Sequence, residues 1–526
     1  MTADAPAAAA EPATRRPLMG EETSEVHDPG PGQPGGRPED AGGGESPAPS
    51  GSLARAGARG ALWQGLAQTI SKAIVLVTAI VLARLLSPQE YGLIALALVL
   101  LSYTETLADA GVAQALVYLP RSAETARAAL LLCLLSGVAL ATALAVAAPA
   151  LASAFGHSDV TPLIHVLALS VLASSLGAVP DALLRRALQF QRLTVAAVVR
   201  AVATGAVTLG LLLTGHGALS LAVGTVAGSL GYTLACWLLV RERVSWALWR
   251  VRREELAAAL RFGGPVAGSS LLARLIFDID YLIVGALLGA QALGYYTLAF
   301  RLPELIIINV FFVLSTVLFP LYSRARAEHR RLQRGYLISM QIQSLYGVTA
   351  GIGLAVVAPV VVPLVFGDQW SGAVVPLILL SLYAAARSLG VGANDVYKAL
   401  GRPALSVSVG FCRLLVLLPV LVVATRWGIT GVAAAQVAVA LLFAVGMQAV
   451  AARVMRIRPA ELLRATAPAA ECGLVLAGVG GLIHLLPLHP LTGAILTIVA
   501  GVGSVYTVLR LRHPALLSHL TRLGRR

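Results

Sequence analysis

From residue 61 to residue 509 the chain reads as a series of long apolar runs separated by short polar loops. Fourteen runs are long enough to cross about 30 Å of hydrocarbon as helices. Their predicted bounds are 61–84, 92–116, 128–154, 160–184, 193–215, 217–240, 262–288, 293–320, 336–366, 372–396, 404–425, 428–452, 468–486 and 491–509. Charges interrupt the seventh, eighth and tenth. The runs show no period-two alternation, which rules against barrel strands, so the expected fold class is an all-α polytopic membrane protein. Residues 1–56 differ in kind. Stretches such as GGRPEDAGGGESPAPSGS hold too little apolar surface to offset ordering entropy, which predicts a disordered cytoplasmic tail. Arg15 and Arg16 precede PLMGEETSE and no apolar core, so a signal peptide is not expected.

Composition sharpens this picture. Hydrophobic residues make up 57% of the 526 and charged residues only 13%, about half the charge of an ordinary soluble domain. That excludes a soluble multidomain enzyme. The net charge of +14 does not indicate nucleic acid, because the arginines collect in alternate loops. One set of loops holds Arg185, Arg186 and Arg192, then Arg241 to Arg261, Arg324 to Arg334, and Arg453 to Arg464; the other set holds essentially Arg426, with Arg84 at a span end. The positive-inside bias then puts both termini in the cytoplasm and the chain in the cytoplasmic membrane. The four cysteines all lie in apolar runs without paired spacing and read as small buried hydrophobes, with no metal site expected.

Sliding the chain on itself by 202 residues aligns 59–97 with 261–299 without a gap. Leu85-Leu86 falls on Leu287-Leu288, Gln89 on Gln291 and Gly92 on Gly294, while Lys72 falls on Arg274. A weaker echo sets Ser175-Leu176-Gly177 against Ser388-Leu389-Gly390. Six spans per copy is an even number, so both copies enter the membrane in the same sense, as two parallel lobes around a central cavity. The predicted organisation is a lobe over 57–240, a linker over 241–261, a second lobe over 262–455, two further spans over 465–512 and a basic cytoplasmic tail over 513–526. In the linker, Trp246, Trp249, Leu256 and Leu260 recur at helical spacing opposite Arg252, Arg253 and Glu254, the pattern of an amphipathic interfacial helix.

Charges inside the spans are the main chemical signal. Each costs about 2.5–3.5 kcal/mol near mid-bilayer, so a dozen facing lipid would cost on the order of 30–40 kcal/mol. They must pair, reach the surface, or line an aqueous cavity. Arg274 and Asp278, at i and i+4, share a helix face, with Asp280 about 200° round from Asp278. Arg301 and Glu304 can also pair, and for them pairing alone is an equal explanation. Lys72, Arg200, Arg387 and Arg413 have no acid three or four residues away. Unpaired cations at this depth point to a cavity that receives an anion such as phosphate. Some of the last three would be explained equally well by a place near a span end. No metalloprotease, P-loop or dinucleotide motif stands in a fitting context, so neither an enzyme nor a bound cofactor is expected. Without a nucleotide domain, transport would be ion-coupled or downhill. Glu105, Asp109, Asp278 and Asp280 are then the candidate coupling sites.

Three segments carry a family resemblance. LARLLSPQEYGLIALALVL (82–100), followed by Asp109-Ala110-Gly111, is similar to the first two spans of bacterial polysaccharide-biosynthesis flippases. DALLRRALQFQRL (181–193) resembles their cytoplasmic segment after span four, and FDIDYLIVGALLGAQALGYYTLAFRL (277–302) resembles the opening of their second lobe. The resemblance covers about 58–455. It implies membership of the multidrug/oligosaccharidyl-lipid/polysaccharide exporter superfamily and translocation of undecaprenyl-diphosphate-linked sugars by alternating access. By position it also implies that Lys72, Arg274 and Arg301 contact the diphosphate or sugar; the unpaired Arg200 and Arg387 are further candidate contacts from the cavity reading above. The partners would be that polyprenyl-linked sugar, the bilayer, and the polymerase and glycosyltransferases of the pathway, with the chain itself a monomer. Three alternatives stay open: a multidrug/cation antiporter of the same superfamily, a membrane polysaccharide polymerase or glycosyltransferase, and a non-transporting scaffold for the polysaccharide machinery. The tail before span one is not part of the family pattern.

Overall fold

The computed structural model describes residues 72–518, except 110, 112–115, 117–122, 242–246, 249–250 and 488. The predicted tail over 1–56, the first part of span one, residues 242–246 and 249–250 of the linker (with Trp246 and Trp249 of its amphipathic pattern) and the last residues of the basic tail lie outside the described residues. Among those described there is no strand, and eleven helices are long and apolar enough to span a membrane. The all-helical expectation is borne out. Two of the eleven, Arg253–Ala325 and Ala404–Met455, each cover two predicted spans.

In chain order the elements are α1 (72–85), α2 (Pro88–Ala108), α3 (Ala123–Ala154), α4 (Val160–Arg186), α5 (Phe190–Leu213) and α6 (Leu219–Leu239). The second half follows with α7 (Arg253–Pro303), α8 (Asn309–Ala325), α9 (His329–Val361), α10 (Val374–Ser388), α11 (Val391–Ala399), α12 (Pro403–Ala424) and α13 (Gly428–Met455). Finally come α14 (Pro459–His484) and α15 (Pro490–Arg512), both packed on α9. Helix α7 is already running at Arg253, so the second part of the linker is continuous with span seven.

Local chemistry explains where the helices break. Ser87 caps α2: the Glu90 N–H donates to its hydroxyl at 3.3 Å and its own N–H donates to the Glu90 carboxylate at 2.9 Å, with Pro88 in the first helical position. Moving on by the repeat offset of 202 from Ser87 gives Gly289, where α7 breaks with φ +84°. That conformation is cheap for glycine alone. The same register point therefore interrupts both copies, by a cap in one and a left-handed glycine in the other.

Packing repeats as well. A side chain on Gly137 of α3 would meet Ser175 of α4 at 2.3 Å, and one on Gly347 of α9 would meet Ser388 of α10 at 2.2 Å. Thus the α3–α4 and α9–α10 pairs approach each other through the same glycine–serine contact. Between the halves α2 packs along α7, and the contact is reciprocal. A Cβ on Gly92 would lie 1.7 Å from the Ala290 carbonyl oxygen, and one on Gly294 would lie 1.9 Å from that of Pro88. Because Pro88 and Ala290 are themselves one repeat apart, the two copies meet as they would across a twofold axis. The largest core cluster draws on both halves here, including Leu86, Tyr91, Tyr296 and Trp370.

Candidate functional site

Polar groups concentrate in two pockets, one on each side of the α2–α7 contact. The first encloses about 590 Å³ among α1, α2, α4, α5, α6 and the second part of α7. Its charged lining is Arg185, Arg200 and Arg301. Arg185 is neutralised by Asp181 at 2.6 Å, and the same carboxylate accepts from the Tyr232 hydroxyl at 2.5 Å. Arg301 pairs with Glu304 at 3.2 Å. Arg200 forms no ion pair among the described residues, and its guanidinium lies 5.9 Å from the centre of the Tyr232 ring.

The second pocket encloses about 390 Å³ among α7, α8, α10, α11, α12 and α13. Arg387, Lys398 and Arg413 line it, against one acid, Asp395. Arg387 donates to the Tyr383 hydroxyl at 2.8 Å, and Arg413 donates to the same oxygen at 3.2 Å. Arg387 also stands 4.6 Å over the Phe277 ring. Neither guanidinium reaches a carboxylate among the described residues. Arg413 Nε, one Asp395 carboxylate oxygen and the Ser406 hydroxyl are buried there without a hydrogen-bond partner. Two guanidiniums thus meet on one phenol oxygen, and Arg413 keeps a donor to spare.

The other residues singled out by sequence fall elsewhere. Arg274 pairs with Asp278 at 2.5 Å while remaining 46% exposed. Lys72 is half-buried and within electrostatic reach of Glu304, an acid brought from the opposite half. Neither Lys72 nor Arg274 lines either pocket; of the cations singled out by sequence, Arg200, Arg301, Arg387 and Arg413 do, beside Arg185 and Lys398. Asp280 points into the second half, only 1% exposed, and accepts from the Tyr296 hydroxyl at 2.7 Å, the Gln436 amide at 2.9 Å and the Tyr281 N–H at 3.1 Å. Glu105 accepts from Ser174 at 2.6 Å, and Asp109 ends α2 with its N–H on the Glu105 carbonyl. No group of three metal-ligating side chains occurs among the described residues.

At the ends of α1 and α9 the halves are fastened together, on the face opposite the arginine-rich loops. Arg84 donates to the carbonyls of Leu364 and Val365 at 2.7 and 2.8 Å, which satisfies the open end of the α9 segment. Trp370, fully buried, donates its indole N–H to the Ala83 carbonyl at 2.6 Å, and Gln369 donates to the same carbonyl at 2.8 Å. The indole is edge-on to Tyr91 of the first half at 5.3 Å and to Tyr295 of its own half at 5.9 Å. No pattern in the sequence marks Trp370 or Gln369 for this role.

A long helical chain with two halves in an internal repeat, packed on each other through α2 and α7, has the two-lobe architecture of a polytopic membrane protein. The family profile described as polysaccharide biosynthesis protein matches residues 81–375, more than half the chain, and the protein belongs to that family. It is 24% identical over 377 residues to the lipopolysaccharide biosynthesis protein WzxC of Escherichia coli K12, covering 69% of this chain and 74% of that one. It is 26% identical over 323 residues to the succinoglycan biosynthesis transport protein ExoT of Rhizobium meliloti, covering 61% and 64%. In three dimensions it matches the lipid II flippase MurJ in an inward closed conformation, with a TM-score of 0.73 at 13% identity, over 87% of this chain and 100% of that one. The family read from 82–100, 181–193 and 277–302 is thereby borne out, as is the two-lobe helical fold.

Proposed function

We propose that the protein is a flippase of the cytoplasmic membrane that carries a polyprenyl-diphosphate-linked oligosaccharide from the inner to the outer leaflet for polysaccharide assembly. The observation that carries this reading is the pair Arg387 and Arg413, which share the Tyr383 hydroxyl and lack a carboxylate partner among the described residues. A diphosphate supplies the charge and the acceptor oxygens that these guanidiniums lack. Arg200 and Arg301 offer a second basic surface across the α2–α7 contact, so the headgroup would be passed between the halves as they rock. Sugars would occupy the pocket space while the polyprenyl chain stays in lipid. A cation antiporter would instead need acids facing its cavity, and only Asp395 does so in the second pocket.

With both termini cytoplasmic, the fastening by Arg84 and Trp370 would lie at the outer face and hold the halves closed to the outside. Release of cargo then requires those bonds to break. Coupling to protons or sodium would fall to Asp278, Asp280, Glu105 or Asp109. Asp278 is tied to the Arg274 guanidinium, whose release could signal cargo. The test is the leaflet distribution of lipid-linked intermediates. Cells lacking the protein, or carrying Arg387→Ala with Arg413→Ala at normal protein level, should accumulate polyprenyl-linked sugar facing the cytoplasm. Normal translocation with arrested chain elongation would instead make the protein a polymerase and sink the proposal.

A further inference from the structure

A third basic feature lies away from both pockets. The beginnings of α9 and α14 form an open cleft of about 520 Å³ on the arginine-rich face of the molecule. Arg330 and Arg334, one turn apart on α9, line it together with Arg464 on α14. None of the three forms an ion pair with another described residue, although Glu461, the single acid of the cleft, is three residues from Arg464. Arg330 also sits in the first turn of α9, where the helix dipole adds to the positive potential instead of opposing it. Just beyond the arginines the lining turns apolar, with Leu337, Ile338 and Ala465. Ile338 is 41% exposed and Leu463, beside Arg464, is 71% exposed, as suits side chains that meet acyl chains.

Phosphate-binding charge at a helix end, followed directly by lipid-facing hydrocarbon, has the order of an anionic phospholipid: headgroup first, then tails. From this order we infer that the α9–α14 cleft is a binding site for an anionic phospholipid, its phosphate held by Arg330, Arg334 and Arg464. Glu461 adds selectivity, since it can accept from a headgroup hydroxyl such as that of phosphatidylglycerol and repels a second bare anion. Gln333 keeps the site in place by donating to the Met455 carbonyl at 2.7 Å, which ties the start of α9 to the end of α13. Because α14 and α15 rest on α9, a lipid seated here would fasten the terminal pair of helices to the second half.

The experiment is lipid titration of the purified full chain, read by native mass spectrometry. Probes are phosphatidylglycerol, cardiolipin, phosphatidylethanolamine, a polyprenyl phosphate and inorganic phosphate. Phosphatidylglycerol or cardiolipin should bind in preference to phosphatidylethanolamine. Each arginine near an anionic surface contributes about a fivefold factor, so R330Q/R334Q/R464Q should weaken binding about a hundredfold. R331Q, whose parent lies 4.0 Å from Glu328 outside the cleft, should leave it unchanged. An unchanged melting temperature of the triple variant in zwitterionic lipid separates lost binding from lost folding. Equal binding by the triple variant, or equal affinity for phosphatidylethanolamine, overturns the inference. So does full competition by millimolar phosphate, which would mark a free-anion site. Tighter binding of the polyprenyl phosphate than of phosphatidylglycerol would also overturn it by assigning the cleft to cargo.

Discussion

Trp370→Ala removes the centre of the fastening between the halves, and its effect can be worked out contact by contact. The indole N–H bond to the Ala83 carbonyl crosses between the halves and contributes about 1 kcal/mol net. The edge-on contact with Tyr91 also crosses and adds roughly 0.5–1.5 kcal/mol. The contact with Tyr295 lies within the second half and persists whether or not the halves part, so it cancels. The difference between closed and open forms is therefore about 2 kcal/mol, or a shift of about thirtyfold in their ratio. Spin labels at Asp159→Cys and Trp427→Cys, both exposed and on opposite halves, would report it in a chain whose four native cysteines are replaced. Distances measured by pulsed electron resonance should lengthen in Trp370→Ala. Trp370→Phe, which loses the donor but keeps the ring, should fall between the two. An unchanged distance distribution in Trp370→Ala, with the protein folded, would refute the idea that this contact holds the halves together.

Two further outcomes follow from the packing. Gly92→Val drives a side chain into the Ala290 carbonyl, so the halves should splay, with export lost at normal protein level; Gly446→Val, in open space, should be tolerated. Export that survives Gly92→Val would show that the close approach is dispensable. Asp280→Ala strands the Tyr296 hydroxyl and the Gln436 amide, at about 1–3 kcal/mol for each buried group, and should lower the melting temperature clearly more than Asp280→Asn, which keeps an acceptor. Equal melting temperatures for the two variants would mean the network does not stabilise the fold.

The spans were legible because hydrocarbon imposes runs of about 20 apolar residues that any chain must display. Even the gap between spans seven and eight coincides with the break at Gly289. The repeat was legible through Leu85-Leu86, Gln89 and Gly92, since repeated packing keeps repeated residues. Contact between halves was not. Trp370 and Ala83 are 287 residues apart, and no local pattern announces that a loop tryptophan will hydrogen-bond a carbonyl on the first helix. Separation along the chain likewise hid Glu304, which acts on Lys72 electrostatically from the opposite half. Arg387 and Arg413 did stand out, because a cation without an acid on its own helix is visible in one dimension. Their meeting on Tyr383 required the fold.

The crosswise approach of Gly92 to Ala290 and Gly294 to Pro88 bears on ancestry. Before fusion, one six-helix protein could have made this contact with a second copy of itself, and a single glycine would have served both sides at once. Fusion freed the two positions to diverge, yet neither could enlarge without the other's backbone giving way. That mutual restriction would preserve the seam while cap, loop and pocket drifted apart on either side.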